Sequence, residues 1–168
     1  MRSLLFIPAD DARKLAKGAG SGADALILDL EDAVAASRKA EARVICAEYI
    51  AATRAQPKRP LLYVRVNAMD TPHWEADLDG VMGSRPDGIL LPKARSGEDV
   101  HTLSIALHHA EERAGAEKGA TRIIAIITEV PISLLKLDTK AQALAWADRY
   151  AAILGEVSEV DVRVVDEE

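Results

Sequence analysis

Cysteine is almost missing from this chain. Cys46 is the only one in 168 residues, so no internal disulfide can form. That fits a reducing compartment, and the chain is read as cytoplasmic. Cys46 sits in an alanine-rich stretch and reads as a small packing residue. Aromatic residues are scarce at 4%, and the net charge is −6. A nucleic-acid partner wants a basic face and stacking rings, so none is expected. No run approaches the roughly 20 apolar residues of a membrane span, so no membrane is expected either. The apolar opening is too short for a signal peptide and is interrupted by Pro8 and Asp10.

Familiar catalytic and nucleotide-binding signatures are also missing. Gly18, Gly20 and Gly22 follow a helical stretch rather than a strand, so they mark a helix stop and not a phosphate loop. There is no Ser-His-Asp or Cys-His arrangement. His101 and His108 share a helix face, but no third ligand accompanies them, and they read as boundary residues.

What remains is an ordinary globular composition, 49% hydrophobic and 29% charged, long enough for one domain with a core. Short apolar runs alternate with helical stretches five or six times. Strands are expected over residues 3–7, 25–30, 61–66, 88–91 and 123–127, with a sixth over 150–154. The fifth run, Ile123 to Ile127, has no polar break and reads as buried on both faces. Helices are expected from an Asp10 cap to Gly18, from Ser37 to Thr53 with Ala40, Val44, Ala47 and Ala51 at helical spacing, from a Thr71 cap, and from a Ser96–Asp99 capping box to Ala114. Trp74, Leu78 and Val81 form the apolar face of the third helix. The spacing suits right-handed βαβ units in a parallel sheet.

Charged or polar groups follow strand after strand: Asp10, then Glu31 and Asp32, then Arg65 and Asn67, then Lys93, then Glu129. The same end of a parallel sheet is where α/β enzymes place their chemistry. Asp29, Glu31 and Asp32 repel one another unless a cation neutralises them. Arg65 lies within an apolar run and needs an anion, either one of those carboxylates or a substrate. Glu129 alone reads equally well as the first residue of a following helix, and Lys93 as a solvated side chain. Carboxylates with no nearby histidine or cysteine suit a hard cation such as Mg²⁺, and Arg65 with Lys93 suits an oxyacid. Such a site can polarise a carbonyl and stabilise an enolate.

Five motifs stand in order over roughly residues 2–137: Arg2 to Asp10, Gly22 to Val34 with its Leu-Asp-Leu-Glu-Asp-Ala-Val run, Val64-Arg65-Val66-Asn67, Leu91-Pro92-Lys93, and Thr128-Glu129. Together they resemble the HpcH/HpaI aldolase and citrate lyase β-subunit (CitE-like) family. The resemblance implies a (β/α)8 TIM-type barrel, of which this chain holds the first five to six βα units, a partial barrel. It implies a Mg²⁺-dependent carbon–carbon lyase acting on a 3-hydroxy acid or its coenzyme A thioester, in a homo-oligomer, trimer or hexamer. By the same resemblance Glu129 is a metal ligand and contacts substrate. Arg65, Asn67 and Lys93 bind substrate, and Arg65, Glu31 and Asp32 form the catalytic group. Relatives carry a second ligand in a Gly-x-Glu-Asp run; here Gly155-Glu156-Val157-Ser158 stands there, and Glu156 is the substitute. Asp11-Ala12 replaces the family's Arg-Pro in the first loop. Residues 1–147 read as the family-like domain and 148–168 as a divergent tail. Two other readings stand beside this one: an inactive accessory or assembly subunit, and an open-sheet flavodoxin-like module, which a reversal of strand order would reveal.

Overall fold

The computed structural model describes residues 1–127. Five parallel strands alternate with four helices: β1 (Leu4–Pro8), α1 (Ala12–Ala19), β2 (Ala25–Asp29), α2 (Lys39–Arg54), β3 (Leu61–Arg65), α3 (Trp74–Val81), β4 (Gly88–Leu91), α4 (Gly97–Arg113) and β5 (Arg122–Ala125). A 3-10 turn, Ala36–Arg38, leads into α2, and another, Met82–Ser84, follows α3. The sheet order is β1-β2-β3-β4-β5, every pair parallel. This is a mixed α/β fold and a run of a (β/α)8-type barrel. Because the order never reverses, the open-sheet alternative is excluded for the described residues.

Strand alternation sorts the side chains into two layers. Ile7, Leu26, Leu28, Leu62, Val64, Ile89 and Leu91 pack against Leu15, Cys46, Ile50, Leu78, Val81, Leu103 and Leu107 of the helices. Ala25, Ile27, Tyr63 and Leu90 form a second cluster with Leu61, Ile124 and Ile126, built from the sheet's other face. Strands apolar on both faces are what a parallel sheet demands. β5 departs from the expectation: its residues are half-buried or exposed, because it is the last strand of the described sheet. At the opposite edge Leu4, Leu5 and Phe6 are exposed.

Several local expectations are corrected. Asp11, not Asp10, caps α1; its carboxylate accepts from the Arg13 and Lys14 amides at 2.9 and 3.1 Å. Asp10 instead accepts from Arg38 at 2.7 Å. Helix α2 buries Lys39, Ala42, Cys46, Ile50 and Thr53, not the Ala40/Val44/Ala47/Ala51 face. Alanine offers little area to bury, so Ile50 and Cys46 decide the rotation of the helix. Thr71 does not cap α3, which begins at Trp74; its hydroxyl donates to the Ala68 carbonyl. Ser96 stands at the N-cap of α4 without a side-chain cap bond, and Asp99 accepts from the Arg95 amide at 2.7 Å instead of the Ser96 amide, so the capping box is replaced by a bond one residue earlier.

The strand starts are tied by carboxylates. Asp87 accepts from the Leu62 amide at 2.8 Å and from the Arg59 guanidinium, while its carbonyl accepts from the Arg122 amide at 3.1 Å. One residue thereby joins β3, β4 and β5 at that end. Glu111 of α4, almost fully buried, accepts from the amides of Gly119 and Thr121, both at 2.7 Å, and holds the loop into β5.

Candidate functional site

The strand ends converge as the alternation requires. Asp29 and Arg65 are register partners on β2 and β3, so their side chains leave the same face. Arg65 donates through Nε to Asp29 Oδ1 at 2.9 Å and through NH2 to Oδ2 at 2.7 Å. The same Asp29 oxygens accept from the backbone amides of Glu31 and Ala33 at 2.8 and 3.2 Å. Asp29 therefore folds the acidic loop back on itself and fixes Arg65 in a fork-to-fork pair.

Beyond that pair Arg65 NH1 lies 3.2 Å from Glu31 Oε2 and 3.8 Å from Asp32 Oδ2. Lys93 Nζ reaches Glu31 Oε1 at 2.8 Å and Asp32 Oδ1 at 3.7 Å. The Phe6 ring of β1 covers the guanidinium, its centroid 5.0 Å from Cζ, a cation–π distance. Asn67 is buried; its amide Nδ2 donates to Leu30 O at 3.0 Å and Asp77 Oδ2 at 2.7 Å. Lys93 has a left-handed backbone, φ 52°. For a residue with a Cβ this is uncommon and occurs where surrounding contacts hold the chain.

Burial pushes the Glu31 carboxyl above its ordinary range; the hydrogen bond from Lys93 and the charge of Arg65 oppose this, and Asp32 adds to it. For Arg65 burial acts downward, but the hydrogen bonds and charge of Asp29, with Glu31 and Asp32, outweigh it and raise its pKa. The guanidinium is a permanent cation here.

The structure thus brings Glu31, Asp32, Arg65 and Lys93 into one ion-pair cluster, with Asn67 braced beside it. Glu129 and Glu156 lie outside the described residues. Among the described residues no group of three or more His, Cys, Asp or Glu side chains stands together as a metal cage. Asp29 and Glu31 are already engaged by cations. Asp32 is 62% exposed and its ion pairs are long, so its oxygens keep lone pairs for a hard cation. β5 carries the chain to the same place: the Ile126 amide donates to Leu91 O at 2.9 Å and the Ala94 amide to Ile126 O at 3.0 Å. Sequence reasoning passed over Phe6, Lys39, Arg43 and Asp77. The available signal for Asp77 was a carboxylate beside Leu78 on the buried side of a short helix.

The HpcH/HpaI aldolase/citrate lyase family model matches residues 2–144. The chain belongs to this family. It is 33% identical over 148 residues to the citrate lyase subunit beta of Haemophilus influenzae, covering 88% of this chain and 48% of that protein. It is 36% identical over 154 residues to an L-malyl-CoA/beta-methylmalyl-CoA lyase of Cereibacter sphaeroides, covering 90% and 44%. Among solved structures, the CitE protein of Mycobacterium tuberculosis in complex with magnesium and pyruvate superposes with a TM-score of 0.56 at 32% identity, over 79% of this chain and 46% of that one. The chain spans less than half the length of these relatives.

Proposed function

We propose that this chain carries the substrate-binding half of a Mg²⁺-dependent carbon–carbon lyase site for a 3-hydroxy acid or its coenzyme A thioester. The observation that carries the reading is the meeting of Arg65 and Lys93 with Glu31 and Asp32 at the carboxyl ends of β2, β3 and β4. The magnesium and pyruvate of the Mycobacterium tuberculosis neighbour, and the malyl-CoA of the Cereibacter relative's name, support the choice of metal and substrate class.

In this reading Arg65 and Lys93 bind the substrate's carboxylate or carbonyl oxygens, and Asn67 orients them. Arg65 is preorganised by Asp29, so it can meet substrate charge without moving. Glu31 and Asp32 flank the reacting carbons. One carboxylate takes the proton of the 3-hydroxyl as the C2–C3 bond breaks. C3 becomes a carbonyl, and the electron pair stays on C2 as an enolate that is then protonated. Glu129, with Glu156 as second ligand, would hold Mg²⁺, with the Glu31–Asp32 pair beside the metal, and the ion's charge would polarise the carbonyl and favour the enolate. The remaining expectations belong to the same proposal: a cytoplasmic chain, from its cysteine usage, and by resemblance a homo-oligomer, trimer or hexamer, with residues 1–147 as the family-like domain and 148–168 as a tail.

Thermal unfolding with and without Mg²⁺, on this chain and on Glu129→Gln, tests the reading. Mg²⁺ at about 100 times its dissociation constant is expected to add roughly 2.7 kcal/mol and raise the midpoint by several degrees. Glu129→Gln should lose that shift, and (3S)-malyl-CoA supplied with Mg²⁺ should be cleaved. A cooperative transition indifferent to Mg²⁺, with no cleavage, would overturn the lyase reading in favour of an accessory subunit.

A further inference from the structure

A second polar layer stands behind the acidic strand end. Lys39, the first residue of α2, is buried. Its ammonium donates to two consecutive carbonyls, Leu30 O at 2.8 Å and Glu31 O at 3.0 Å. Asn67 Nδ2 donates to the same Leu30 carbonyl and to Asp77. Asp77, fully buried on α3, accepts at its other oxygen from Arg43 Nε of α2 at 2.7 Å. Helices α2 and α3 therefore grip the β2 loop through backbone atoms, from behind the ion pairs.

A buried ammonium is costly unless its protons are satisfied. Burial presses the pKa of Lys39 down, while Asp77, Asp29 and Glu31 pull it up. An apolar residue beside Ala42 and Cys46 would fill the space without that cost. What an apolar residue cannot do is fix two successive peptide groups. Those peptides set the directions in which the Glu31 and Asp32 side chains leave the chain. Glu31 must leave it toward Lys93 to make the 2.8 Å contact.

We propose that Lys39 is a positioning residue: by holding the Leu30 and Glu31 carbonyls it aims the Glu31 and Asp32 carboxylates at Lys93 and Arg65. Its importance for turnover rests on the lyase reading above; its effect on geometry does not. Asp29 touches the loop through the Glu31 and Ala33 amides, but its own backbone and that of Arg65 are paired strand positions fixed by the ladder. The Arg65–Asp29 pair is thus an internal control.

The test is nuclear magnetic resonance on the full chain labelled with ¹⁵N and ¹³C, reading scalar couplings across hydrogen bonds. The wild type should show coupling from Lys39 Nζ to the Leu30 and Glu31 carbonyl carbons, from Lys93 Nζ to the Glu31 carboxyl carbon, and from Arg65 Nε to the Asp29 carboxyl carbon. In Lys39→Met the Lys93–Glu31 coupling should vanish while Arg65–Asp29 persists, and Lys39→Arg should bring it back. Absent Lys39 couplings in the wild type would overturn the proposal. So would an unchanged Lys93–Glu31 coupling in Lys39→Met, or the loss of both pairs together, which is general loosening. Should Lys39→Met not fold, Lys39→Gln keeps a shorter, neutral donor group and should weaken the Lys93–Glu31 coupling at least twofold; no change overturns the proposal. Where the wild type cleaves (3S)-malyl-CoA, Lys39→Met should lower kcat about tenfold or more, and Lys39→Arg should restore it. A wild type that neither cleaves nor responds to Mg²⁺ removes the lyase reading, and the couplings still decide the positioning claim.

Discussion

Arg65 on β3 and Asp29 on β2 are register neighbours joined by two hydrogen bonds, at 2.9 and 2.7 Å. Their side chains are 11% and 3% exposed. The pair is a cross-strand clamp as well as the anchor of the site, and breaking it should strand a buried charge. Arg65→Met is expected to destabilise the protein by about 3 kcal/mol, measured by urea unfolding, because Asp29 is left uncompensated. Arg65→Met/Asp29→Leu together should recover much of the loss, while binding of oxyacids should not return.

Asp87 should give the protein an acid limb. Burial acts to raise its pKa, but the Arg59 hydrogen bond, the Leu62 amide and the nearby arginines outweigh it, so the folded value lies below 3.8. A carboxyl with a lowered folded pKa contributes stability above its unfolded value and loses it as pH falls toward the folded one. Asp87→Asn should therefore cost about 2 kcal/mol at pH 7 and flatten the decline below about pH 4. Chemical unfolding at several pH values checks this; parallel wild-type and variant curves would count against it.

Gly88 opens β4 where Tyr63 of β3 crosses it. A Cβ there would meet Tyr63 Cε1 at 2.2 Å and the Arg122 carbonyl at 2.8 Å. Gly88→Ala should cost about 1–3 kcal/mol by overpacking. Adding Tyr63→Leu should relieve only part of it, since the carbonyl contact is backbone. Thermal midpoints of the two variants read the difference.

Lys93 separates backbone strain from side-chain chemistry. At φ 52°, Lys93→Ala keeps the strained backbone and removes the Glu31 pair, whereas Lys93→Gly removes both. The glycine variant should be more stable than the alanine variant by about 1 kcal/mol. Both should lose oxyacid binding alike. Equal stabilities would show that the left-handed backbone is relaxed in solution.

Much of this was legible in the chain itself. Unbroken apolar runs such as Ala25 to Leu28 mark the strands, and charged residues at their ends mark the site. Arg65 in an apolar run called for an anion, a nearby carboxylate or a substrate, and the structure supplies carboxylates. Which one was hidden, because Asp29, Glu31 and Asp32 are near neighbours in sequence. Only the strand register puts Asp29 opposite Arg65, with Glu31 and Asp32 beyond it. Cap positions shifted by a residue or more because Asp10 and Asp11 are equally good acceptors for helix amides, and the tertiary pull of Arg38 on Asp10 decides between them. The rear layer of Lys39, Asn67, Asp77 and Arg43 depends on helix rotation, and alanine-rich α2 offers two plausible faces. Glu129 was picked out by its place after the fifth apolar run; its metal role, and Glu156 with it, came by resemblance.

The strictly sequential sheet bears on how the chain is made. Each of the five described strands pairs with its neighbour in sequence, so this part of the sheet can extend from β1 onward as synthesis proceeds. The charge pair interrupts that smooth growth. A nascent chain that has laid β2 against β1 but has not yet delivered Arg65 carries Asp29 at the end of an apolar strand with no countercharge. Arrival of β3 neutralises it. The site's anchor should thus also help to lock the growing sheet, and ribosome-bound chains ending just before residue 65 should be more protease-sensitive than chains extending beyond β4.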